Sequence, residues 1–106
     1  MTSFIELPQL AFDGRETLPI YVNTADVITV AADYDGQTVL NVRDLGSECM
    51  TAKFKTYIPL HSILDVLGEL AKWPGVRSWT DETKAACRGP IAERLKAARD
   101  AERAAR

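Results

Sequence analysis

Apolar and polar residues alternate along the first half of the chain and change to a helical spacing beyond residue 59. Ser3–Leu7 (SFIEL) has the period of two expected of a strand and is stopped by Pro8. Leu18–Val42 holds two or three further short strands, joined at Asn23–Asp26 and at Asp33-Tyr34-Asp35-Gly36. Asp-Gly between two runs of β-branched residues predicts a hairpin, because glycine accepts the positive φ of the turn. Pro19 marks an edge strand. Asp44-Leu45-Gly46-Ser47 predicts the next turn, and Cys49–Tyr57 a further strand. In that strand Met50, Ala52, Phe54 and Thr56 share one face, and Thr51, Lys53, Lys55 and Tyr57 the other. Short turns join antiparallel neighbours, so the pattern predicts one meander of four or five strands.

Pro59 closes the strand region and suits the first turn of a helix. Leu60, Ile63, Leu64, Leu67, Leu70 and Ala71, widened by Val66, form an apolar stripe at helical spacing. Lys72-Trp73-Pro74-Gly75 ends that helix. Thr80 caps a second one from Asp81, with Asp81 and Glu82 at the positive end of its dipole. Gly89-Pro90 predicts a break, and Pro90 the start of a last helix through Ala105. The fold class expected is α+β: a small antiparallel sheet, an amphipathic helix on one face and a C-terminal helical appendage. Residues 1–72 form the core and 73–106 a helical extension of the same single domain.

Length and composition agree with one modest core in a chain of 106 residues. The N-terminus lacks a basic start followed by an apolar run, and no stretch reaches the roughly 20 apolar residues that cross a bilayer. The expected setting is therefore cytoplasmic, with Cys49 and Cys87 as structural thiols. Charge is unevenly spread. Residues 1–70 carry ten acidic and four basic side chains, whereas residues 71–106 carry five acidic and nine basic. An acidic body with a basic tail points to polar partners at opposite ends, or to a tail folded back on its body.

Catalytic chemistry finds little support. His61 is the only histidine, and Asp65 one turn on could orient it, but no nucleophile is tied to the pair. Cys49, His61 and Cys87 lack the close pairing of a zinc site. Asp33-x-Asp35-Gly36 echoes a calcium loop, yet Ala31 and Val42 fall where that loop needs carboxylates. The glycines form neither phosphate-binding nor dinucleotide-binding loops. The expectation is a non-enzyme without metal or cofactor.

Three groups remain as partner-binding candidates. Asp26, Asp33, Asp35, Asp44 and Glu48 lie near turns and could build an acidic face. Trp73, Arg77 and Trp79 have the composition of interface anchors, the alternative being that both rings cap the core. Arg94, Lys96, Arg99 and Arg103, in a tail that also holds Arg88 and Arg106, could neutralise phosphates. Glu93, Asp100 and Glu102 interleave with them, as on an ordinary solvated helix.

The succession FIEL, Gly14, IYVNTADVITV, GQTVLNV and YIPLHSILDVL resembles small β-rich proteins of the FlbD-like flagellar type and their phage-borne cousins. The likeness covers residues 3–70. The chain departs from that pattern at Asp44–Lys55 and in its helical tail. The resemblance implies a compact non-enzymatic adaptor and carries over no catalytic residue.

The function expected is thus a protein–protein interaction module, with homodimerisation a further expectation and the partner another protein. Its sharper form is a phage- or prophage-encoded inhibitor that meets a bacterial host complex, such as a defence system, through the acidic face. The alternative is a nucleic-acid-binding accessory protein using the arginine-rich helix.

Overall fold

The computed structural model describes residues 2–11, 14–33 and 36–105; within the last helix, the side chains of residues 90–92, 94, 95, 98 and 99 stand outside the description. The elements are β1 (Phe4–Leu7), β2 (Ile20–Asn23), a 3-10 turn (Thr24–Asp26), β3 (Val27–Ala32), β4 (Thr38–Arg43), β5 (Thr51–Thr56), α1 (Leu60–Lys72), β6 (Val76–Arg77) and α2 (Asp81–Ala104). The class is α+β, as the periodicities imply.

The strands form two three-stranded sheets, in the orders β2-β1-β6 and β3-β4-β5, in place of the single meander expected. The division falls at Asn23. Its side-chain oxygen accepts a hydrogen bond from the Ala25 N–H at 3.0 Å, and the 3-10 turn that follows redirects the chain. β2 therefore pairs back on β1, Phe4 opposite Asn23, while β3 pairs forward with β4. The pair Val76–Arg77 adds a parallel strand to β1, in register Phe4 with Val76 and Ile5 with Arg77. Two residues are too short a run to show a period.

One core lies between the sheets and α1. Ile5 and Leu7 of β1, Val22 of β2, Leu40 and Val42 of β4, Ile58, and Ile63 and Leu70 of α1 are all buried within it. Each aliphatic side chain so buried contributes about 1.5–3 kcal/mol gross. The Thr38 hydroxyl, fully buried, donates to the Ile58 carbonyl at 2.7 Å and so enters the core without an unmet donor. On α1 the inward set is Ile63, Val66, Leu67 and Leu70. Leu64, expected in the stripe, is half exposed, because its place is about 100° round the helix from Ile63.

α2 also departs from expectation. It runs unbroken through Gly89-Pro90 to Ala104, one helix where two were predicted. A proline inside a helix gives up one backbone hydrogen bond and crowds the preceding turn and the residue before it; Gly89, having no Cβ, removes one part of that crowding. Thr80 caps the start, accepting from the Thr83 N–H at 3.2 Å. Thr83, Lys84 and Cys87 are half-buried against the body, whereas the described side chains beyond residue 92 are exposed. A helix of this length reaches about 36 Å. The radius of gyration, 15.1 Å, exceeds the roughly 13 Å of a compact chain of this size, which fits a projecting helix.

Candidate interaction surface

The connection between β4 and β5, Asp44–Met50, is a loop held by its own backbone. The Asp44 carboxylate accepts from the Gly46 N–H at 3.0 Å, and the Asp44 carbonyl from the Ser47 N–H at 3.2 Å. The Ser47 hydroxyl accepts from the Cys49 N–H at 3.3 Å, and the Ser47 carbonyl from the Met50 N–H at 3.0 Å. The Asp44 N–H closes the loop on the Met50 carbonyl at 2.9 Å. Met50 takes φ = 59°, a left-handed conformation that side chains other than glycine seldom adopt. This is why β5 starts at Thr51 and not at Cys49.

Such order would ordinarily serve packing, yet the loop turns its large apolar side chains outward. Leu45 is 74 % and Met50 56 % exposed, with Glu48 and Cys49 exposed beside them. The sequence pattern placed Met50 on a strand face and Leu45 in a plain turn, so neither stood out. The signal was present in hindsight: a leucine inside an Asp-Leu-Gly-Ser turn has no core position to serve.

The acidic candidates divide into two groups. Asp26 precedes Val27, which pairs with Val42, and Asp44 follows Arg43, which pairs with Thr51. Asp26, Asp44 and Glu48 therefore sit at one end of the second sheet. Asp26 also lines an open cleft of about 310 Å³ with Tyr21, Asn23, Arg43 and Phe54. Asp33 is at the opposite end, a six-residue strand or about 20 Å away, where its carboxylate meets the Lys55 ammonium at 2.7 Å. Asp35 lies outside the described residues.

The aromatic group is divided as well. Trp73 follows the last residue of α1 and is 75 % exposed, and Trp79 is half-buried against the core. Arg77 pairs with Glu69 of α1. On α2, Lys96 and Arg103 are exposed, as are Glu93, Asp100 and Glu102; the side chains of Arg94 and Arg99 lie outside the described residues. Asp100 is four residues from Lys96 and three from Arg103, so an acid is interposed on that side of the helix.

Two polar clusters that no local pattern in the sequence reveals fix α2 to the body. The Tyr57 hydroxyl donates to Glu16 at 3.0 Å and accepts from Arg88 at 3.0 Å, while the Arg88 guanidinium meets Glu16 at 2.9 Å and lies 5.4 Å from the centre of the Tyr57 ring. Burial, together with the Glu16 carboxylate, pushes the Tyr57 phenol above its ordinary range despite the opposing pull of Arg88. Tyr57 and Glu16 together raise Arg88 further. In the second cluster Glu6 of β1 accepts from Ser78 at 2.7 Å and from Tyr21 at 3.3 Å, with Lys84 at 3.8 Å. Arg88, read from sequence as part of a solvated tail, is thus a bound member of the fold.

His61 is exposed on α1, and Cys87 is half-buried, its thiol pushed up by burial. Among the described residues no group of three His, Cys, Asp or Glu side chains could hold a metal ion, and no helix is long and apolar enough to cross a membrane. A second cleft, of about 370 Å³, is lined by Leu10, Val39, Phe54, Lys53 and Lys55 with Gln9 and Ala11, a set without histidine, thiol or carboxylate. Comparison with protein families, with curated proteins and with solved structures finds no match for this chain.

Proposed function

We propose that this protein is a non-catalytic binding module that docks another protein through the Asp44–Met50 loop. The observation that carries the reading is an ordered loop that presents two large apolar side chains to solvent. A loop fixed before binding loses little conformational entropy on docking, and exposed apolar anchors gain most from being covered. Asp44 and Glu48 within the loop, and Asp26 at the same end of the sheet, give the surface an acidic rim. The partner that fits is a protein with an apolar socket bordered by basic side chains.

The test is affinity capture with the whole chain and with the double variant Leu45→Asp/Met50→Asp, each with and without nuclease. Both positions are exposed, so circular dichroism should show the variant folded. Capture of one stoichiometric protein, insensitive to nuclease and weakened at least tenfold in the variant, is the expected result. Equal capture by both proteins overturns the loop assignment. Recovery of nucleic acid alone, lost at high salt, would move the function to the arginines of α2.

A further inference from the structure

The sheet β3-β4-β5 has two edges, and they differ. At β5, the Leu10 N–H donates to the Lys55 carbonyl at 2.8 Å, and Lys53 and Lys55 place charge along the strand. β3 is six residues, VITVAA, with no ionisable side chain and no proline. In the other sheet, β2 is short and preceded by Pro19, and β6 has two residues. Charge, proline and brevity are the usual guards of an edge. β3 has only a bulge, between Val27 and Thr29, and is regular from Thr29 onward.

The ladder settles which groups β3 leaves open. Lys55 points its carbonyl away from β4, toward Leu10. Backbone direction alternates along an antiparallel ladder, so Leu40 and Val42 turn toward β5 while Val39 and Asn41 turn toward β3. Their partners Ala31 and Thr29 bond inward, as does Asp33, whose N–H donates to the Gln37 carbonyl at 2.7 Å. Val30 and Ala32 therefore aim N–H and C=O outward, and no other described residue pairs with them.

We infer that β3 pairs antiparallel with β3 of a second copy of this chain, making one continuous six-stranded sheet. The strand is complementary to itself. Being uncharged, it brings no like charges together across a two-fold axis, whereas β5 would set lysine near lysine. With the axis at Val30, Ile28, which is 50 % exposed, falls opposite Ala32 of the second copy: the largest side chain of the strand meets one of its smallest. Thr29 falls opposite Ala31. An interface of this length buries less than a standard stable one, so a reversible, concentration-dependent association is expected.

The experiment is sedimentation equilibrium of the whole chain over a wide concentration range, beside Ile28→Lys and Ala32→Pro. Each replaces an exposed residue, and the Ala32 N–H that proline removes is not used within the fold. A reversible wild-type dimer, weakened at least tenfold in both variants and unchanged in Leu45→Asp/Met50→Asp, is the expected result. Amide exchange on the wild type supplies a readout that needs no variant: Val30 and Ala32 should gain protection as concentration rises. A chain monomeric throughout, a dimer indifferent to both edge variants, or exchange at Val30 and Ala32 independent of concentration overturns the inference.

Discussion

Tyr57 stands where the 9–17 segment, the end of β5 and α2 meet, and its hydroxyl is the single atom through which Glu16 and Arg88 share a buried tyrosine. Tyr57→Phe keeps the ring and leaves Glu16 and Arg88 paired, so a loss of about 1–2 kcal/mol is expected in denaturant unfolding. The pH dependence has a definite sign. The folded state holds the phenol above the value near 10 that it has in the unfolded chain, so the folded form retains the proton longer. Its stabilising contribution is complete below pH about 10 and is lost as pH climbs through the folded value. Alkaline unfolding should show a component in wild type that Tyr57→Phe lacks; identical profiles would deny Tyr57 that role. None of this was legible locally. Arg88 sits in a run of charge typical of a wet helix, and Glu16 is 72 residues away.

Elements with a period were readable from their residues, and elements without one were not. The strands SFIEL and GQTVLNV and the helix from Leu60 show their faces in sequence, because each buries one side against a common core. β6 is two residues whose partner is the far end of the chain. The Asp44–Met50 loop escaped because its defining features are an unusual φ at Met50 and the outward direction of two side chains. α2 shows the opposite error, a breaker rule overruled by a neighbour. Proline inside a helix costs up to about 3 kcal/mol relative to alanine, and Gly89 relieves only the part that falls on the preceding residue. Pro90→Ala should therefore slow amide exchange around residues 86–94 by ten- to a hundredfold and raise helicity at 222 nm. No change in either would mean that the helix is not weakened at Gly89-Pro90.

At the scale of the molecule, charge read along the chain and charge arranged in space differ. Asp26, Asp44 and Glu48 stand at one end of the second sheet and Asp33 at the other, Asp65 and Glu69 lie on α1, and the basic tail lends Lys84 and Arg88 to Glu6 and Glu16. Residues 73–106 also supply β6, the half-buried Trp79 and Cys87, and Ser78 on Glu6. A chain ending at Lys72 loses all of these together. It should show reduced cooperativity in thermal unfolding and aggregate at concentrations where the whole chain stays dispersed, as light scattering would reveal; a cooperative, dispersed fragment would show those contacts to be dispensable. The parallel pairing of β1 with β6 has a further consequence, for the order of events during synthesis. β1 leaves the ribosome ahead of the other described strands, but its second neighbour is more than seventy residues behind it. β3, β4 and β5 are contiguous and can zip together as they appear, while Phe4–Leu7 waits with one flank open. The newborn chain thus carries an unfinished strand until Val76 comes into reach, and only then does the window in which it is exposed to chaperones and to its own siblings close.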